Sequence, residues 1–188
     1  MNDRDAIAAQ IGRPPRGLLG VPVRCSYGYP QVIRVSPLVE GKPFPTLFWL
    51  TCPYLTHKID HLEAVGWIGR LERRMSEDAA LRAGMERAHE RYVAERAALL
   101  SDEERLVAAG GGLGASLLEK GIGGIADRGT LKCLHLHVAH ALADALADAN
   151  PIGSIVLAML PATECRSEEG ICSALGEGGA DRTGRIDR

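Results

Sequence analysis

Residues 131–148, LKCLHLHVAHALADALAD, can be threaded as a strand or as a helix, and the choice fixes both the packing and the chemistry of the chain. As a strand, period-two alternation puts Cys133, His135 and His137 on one face and Leu134, Leu136 and Val138 on the other. As a helix, Leu131, Leu134, Val138, Ala141, Leu142 and Ala145 form a buried stripe. Cys133, His137, His140 and Asp144 then line another face at helical spacing, with His135 at the edge of the apolar stripe. The run ALADALADA is made of strong helix formers, and no breaker separates it from the histidines. The segment therefore reads as a helix from about Asp127 or Thr130 to Ala149, closed by Asn150-Pro151. His137 and His140 are neighbours on it, either as further ligands or a base, or simply as its polar face. His135 and His137 point about 200° apart around the axis.

Outward from this helix, Ile152–Leu160 is apolar enough to pack as a final short helix, and the residues after Pro161 turn polar and Gly-rich. Residues 161–188 are expected to form a flexible, disordered tail. On the N-terminal side, residues 109–130 alternate Gly turns with a short helix near 113–119. Before them a long charged helix is expected from Ser76, as N-cap, to about Leu100, and Ser101-Asp102-Glu103-Glu104 starts another with a capping box. Leu55, Ile59, Leu62 and Leu71 give an earlier helical stripe, interrupted at Gly66. The stretch 17–53 has a different character. Gly and Pro punctuate short β-branched or aromatic runs at Val21–Val23, Gln31–Val35 and Thr46–Thr51, which read as strands. Residues 3–11 form a short helix ending at Gly12. The expected fold is α+β and mainly helical: one globular domain over residues 1–160, with a small N-terminal β element packed on three or four helices.

Composition narrows the functional classes. In 188 residues, 46% are hydrophobic but there are only two Phe, two Trp and four Tyr, so the core must be aliphatic. A net charge of -2 gives no basic field for nucleic acid. Arg70, Arg73 and Arg74 are interleaved with acids and read as a solvated helix face. No run of roughly 18 to 20 apolar residues is present to span a membrane, and MNDRDAIAAQIG lacks a signal peptide's apolar centre. A cytoplasmic protein is expected. Five cysteines in that setting read as reduced thiols or metal ligands rather than a disulfide framework.

Three cysteines carry most of the chemical signal. Cys52 follows an apolar strand and precedes Pro53, a residue favoured at the first position of a helix, so its thiol faces unpaired helical amides. A phosphatase loop is excluded, because Lys58 stands where such a loop needs Arg. Cys25 lies in a Tyr/Gly/Pro turn after Arg24, and Cys133 adjoins the histidines. Structural zinc takes four Cys or His ligands. Cys25, Cys52 and Cys133 with His135 or His137 supply such a set from distant segments. A second reading is an enzyme, with Cys52 or Cys133 as nucleophile or open-site ligand and His135 or His140 as base. Arg128 and Lys132, beside the Gly turn GIGGI, would then bind a small anionic or phosphorylated substrate. A third is an adaptor whose charged 72–105 helix meets a protein partner.

The strings RGLLGVPVRCSYGYPQVI, PFPTLFWLTCP, LEAVG, AHERYVAER, KCLHLHVAHALA and NPIG, in this order, resemble an uncharacterised bacterial family, domain of unknown function 501, over residues 8 to 160. The resemblance implies no activity. Gene neighbourhoods of the family imply a link to polyphosphate, envelope or division physiology, which fits the adaptor reading. The family pattern falls on Arg24, Cys25, Cys52, Pro53, Lys132, Cys133, Leu134 and His135, which favours His135 over His137 as the fourth ligand.

Overall fold

The computed structural model describes residues 1–110, 114–144, 150–166 and 171–176. Helix α1 (Asp3–Ile11) precedes five strands: β1 (Leu18–Arg24), β2 (Pro30–Val35), β3 (Leu38–Val39), β4 (Lys42–Pro43) and β5 (Phe48–Leu50). Helices α2 (Pro53–Ala64), α3 (Trp67–Glu77), α4 (Ala79–Ala98), α5 (Asp102–Ala109), α6 (Ala115–Glu119), α7 (Leu134–Ala143) and α8 (Pro151–Met159) follow. The fold is α+β and mainly helical. None of the described helices is long and apolar enough to cross a membrane.

The central strand β2 pairs antiparallel with β1 on one side and β5 on the other, with Val32 opposite Leu50 and Arg34 opposite Phe48. Its two faces feed two cores, as a period of two requires. Val32 enters the main core, whereas Ile33 and Val35 meet Ile7 of α1 on the far side. The main core joins Leu47 and Phe48 to Ile59 of α2, Leu71 and Met75 of α3, and Met85, Ala88 and Tyr92 of α4. Val138 of α7 and Val156 of α8 complete it.

Helix boundaries follow capping chemistry. Pro53 opens α2 behind Cys52, and the left-handed Gly66 divides α2 from α3. The Ser101–Glu104 capping box is present at α5. At α4 the structure corrects the expected start: Asp78, not Ser76, caps the helix by accepting the Leu81 N–H at 2.9 Å. Ser76 instead donates to the Arg73 carbonyl and ends α3.

Helix α7 also begins later than expected. Residues 122–124 form a 3-10 turn with Gly123 and Gly124 left-handed, and Cys133 is extended, so helical geometry starts at Leu134. Residues 145–149 of the expected helix lie outside the described residues. The larger correction concerns the faces of α7. His137 and His140 were expected on a polar face but are 0% and 1% exposed, because α7 is packed between β5 and α8. Gly153 makes the α7–α8 approach close: a Cβ there would lie 2.2 Å from the His137 carbonyl oxygen.

Of the expected tail, residues 161–166 return to the N-terminal sheet and its β1–β2 turn, and residues 171–176 pack on α1 and α2. Gln31 donates to the Thr163 carbonyl, and the Ser26 amide and hydroxyl both donate to Glu164. Residues 167–170 and 177–188 lie outside the described residues.

Candidate metal centre

Thr56, Asp60 and Glu63 share one face of α2 through i+4 and i+3 spacing. The start of α7 lies across this face. Glu63 accepts the Leu134 N–H at 2.5 Å, while Glu72 of α3 accepts the Leu131 N–H at 2.8 Å. Two carboxylates thus satisfy backbone amides on either side of Lys132-Cys133, amides that an isolated helix start would leave unpaired. They also fix where the next side chains fall.

His135 drops between Glu63 and Asp60. Its Nδ1 lies 3.2 Å from Glu63 Oε1, and its Nε2 lies 3.2 Å from Asp60 Oδ1 and 3.4 Å from the Thr56 carbonyl. Burial opposes charge on the ring. The hydrogen bond to Cys133 and the charge of Glu63, Cys133 and Asp60 outweigh it and raise the pKa to about 9. At neutral pH His135 is an imidazolium donating to acids on both sides. Glu63, Cys133 and His135 each offer a ligand atom within 4.8 Å of the others, and theirs is the one such His/Cys/Asp/Glu group among the described residues. All three are partly buried.

Cys133 and His135 of this group line a cavity of about 410 Å³, whereas Glu63 stands outside its lining. Phe44, Trp49, Leu50 and Leu136 make its apolar lining, and Lys132, Cys133 and His135 its polar edge. Lys132 Nζ donates to the Gly123 carbonyl at 3.4 Å. Arg128, expected beside Lys132 as an anion ligand, pairs with Glu86 and donates to the Glu119 carbonyl.

The four ligands expected from sequence fall in two places. Cys133 and His135 meet Glu63 here. Cys25 and Cys52 instead line a second, small cavity, together with Cys165 and Cys172 of the C-terminal segment. Burial raises the pKa of the Cys52 thiol and brings that of Cys172 to about 11.

His137 and His140 belong to the core. Asn150 Nδ2 donates to Nδ1 of both, at 3.2 and 3.1 Å, and Asn150 Oδ1 caps α8 by accepting the Gly153 N–H. This bonding places the imidazole proton of each on Nε2. His140 stacks on Phe48 with centroids 5.9 Å apart and meets Tyr92 edge-on at 4.9 Å. Burial lowers the pKa of His137 to about 3 and that of His140 to about 4, so both are neutral.

Sequence reasoning missed Glu63 and Asp60. Glu63 stands inside the LEAVG string, where its residue type sets it apart from no other acid of the chain. The i, i+3 acid pair on α2 was the available signal.

A family model described as protein of unknown function (DUF501) matches residues 21–158, a span that includes Cys25, Cys52, Glu63, Cys133 and His135. No curated protein and no solved structure matches the chain.

Proposed function

The chain belongs to the DUF501 family, and within it we propose that this protein binds a divalent cation of the zinc class at Glu63, Cys133 and His135 and acts by binding a small ligand beside it. The observation that carries this reading is the convergence of carboxylate, thiol and imidazole within 4.8 Å, with the thiol and the imidazole lining a cavity. Zinc accepts these three donor types, at about 2.0 to 2.3 Å, and a three-residue set leaves one position for water or ligand. The cation would take the place of the imidazolium proton between Glu63 and Cys133. The cavity would hold a ligand with an apolar body, and Lys132 would favour one carrying an anionic group.

The test is zinc stoichiometry and affinity in the wild type, Cys133→Ser and Glu63→Gln proteins, with circular dichroism confirming the fold. Loss of one equivalent of tightly bound zinc in each variant is expected. Stoichiometry and affinity unchanged by both substitutions would refute the site.

The hydrogen bond between Cys133 and His135, with Glu63 behind the ring, supports a second reading in which Cys133 is a nucleophile and His135 its proton carrier. Rapid, single-site alkylation of Cys133 at neutral pH that added zinc does not slow would favour it. Thiols of uniform low reactivity would exclude it.

A further inference from the structure

Four of the five cysteines converge at a place remote in sequence from the centre above. Cys25 comes from the turn after β1, Cys52 from the N-cap of α2, and Cys165 and Cys172 from the returning C-terminal segment. Together they line a cavity of about 10 Å³. That is about the space one water-sized sphere occupies, too small for an organic ligand and suited to a single ion.

Polar donors reach two of the sulfurs. Cys52 stands at the N-cap of α2, directly before Pro53, with no hydrogen bond from its side chain to the helix amides. The Ile171 N–H donates to Cys165 Sγ at 3.5 Å, and Gln10 Nε2 donates to Cys172 Sγ at 3.2 Å. A neutral thiol is a weak acceptor, and such donors favour the thiolate. Glu164, the acid on the cavity wall, is engaged by the Ser26 amide and hydroxyl. Four thiols around so small a volume supply the donor set of one soft cation, which would displace their protons on binding.

We propose that Cys25, Cys52, Cys165 and Cys172 form a four-thiolate site for a soft divalent cation of the zinc class, which clasps the C-terminal segment onto the β1–β2 turn and the start of α2. Four sulfurs, with the acid of the wall already engaged by Ser26, make a closed, structural site rather than a catalytic one. In the structure no three of these sulfurs lie within 4.8 Å of one another, so binding draws them inward by side-chain rotation. The site shares no residue with Glu63, Cys133 and His135, and either stands if the other fails.

The test uses the full chain, reduced and stripped with a chelator, then titrated with zinc alone. Alkylation of each cysteine is followed by peptide mass spectrometry. One equivalent of zinc should slow alkylation of Cys25, Cys52, Cys165 and Cys172 together. In parallel, cobalt(II) should give the intense thiolate-to-metal absorption of a four-sulfur site. The Cys165→Ser/Cys172→Ser protein should lose that absorption and one equivalent of metal, whereas Cys133→Ser should keep both. Independent labelling of the four thiols in the presence of zinc would overturn the proposal, as would their recovery as disulfides from freshly isolated protein. Loss of all zinc in Cys133→Ser would overturn it too.

Discussion

Replacing Arg96 by Met should destabilise the protein more than any single apolar truncation of comparable size. Arg96 is fully buried in α4, yet among the described residues no carboxylate pairs with it. Its guanidinium is instead held by backbone carbonyls: Leu117 at 2.7 Å, Pro45 at 2.9 Å, Gly121 at 3.2 Å and Ser116 at 3.4 Å, with Lys120 closing the ring. Burial brings its pKa down to about 10, still leaving it charged at neutral pH. One side chain thus fastens residues 116–121 and the loop before β5 to α4. Met fills similar volume but donates nothing. Orphaning a buried carbonyl costs roughly 1–3 kcal/mol, and hydrogen bonds to a charged group contribute about 1.5–3 kcal/mol each, so the full sum would exceed what relaxation and entering water allow to persist. Breaking a buried charged network typically costs about 3–5 kcal/mol, and we expect that range. In a chain of this size it corresponds to a fall in Tm of about 10 °C. Arg96→Lys, with three donors and no planar fork, should lose roughly half as much. Urea and thermal unfolding followed by circular dichroism provide the assay. A loss under about 1 kcal/mol for Arg96→Met would refute the idea that this cage organises the segment leading to Lys132 and Cys133.

Three further outcomes follow from the core. His89, whose Nδ1 accepts the Ile122 N–H, and His140 are both held neutral by burial with pKa values of about 4; Arg128 and Glu86 face the first, Asp144 and Arg91 the second. Both folded values lie below the unfolded value near 6.5. Stability is therefore full above pH 6.5 and falls as the pH drops from there to about 4, by up to about 3 kcal/mol for each ring. Urea midpoints at pH 7.5, 6, 5 and 4 should show it, and His89→Gln should flatten the slope; a flat wild-type profile would refute this assignment. Asn150→Ala removes the α8 cap and the donors to two buried imidazoles, and should cost about 2–4 kcal/mol in the same assay. Gly153→Ala should cost at least as much, because its methyl would meet the His137 carbonyl across the helix contact; a shift in midpoint within error would show that α8 can slide away freely.

Local chemistry made much of this fold legible. Pro53 after an apolar run announced the start of α2 behind Cys52, Gly66 the break before α3, and Ser101 to Glu104 the start of α5. The strands of the sheet were marked by β-branched runs between Gly and Pro. What stayed hidden depended on contacts between distant segments. The histidines of α7 resembled a polar face because nothing in residues 131–148 reveals that α8 will cover them. Asn150 was legible as a helix stop, but its donors to His137 and His140 exist only once α8 folds back. Glu63 is one acid among many, 71 residues from the amide it caps. The cysteines showed the same limit: the residue types pointed to thiolate chemistry, while their division between two places is a property of the tertiary structure.

The most direct measurement is anomalous diffraction at the zinc absorption edge from crystals of the full chain grown with zinc. The expected result is a peak bonded to a Glu63 oxygen, Cys133 Sγ and a ring nitrogen of His135 at about 2.0 to 2.3 Å, with its fourth position facing the cavity. Density showing His135 still bridging Glu63 and Asp60, with no anomalous peak beside Cys133 at saturating zinc, would contradict the assignment of this centre.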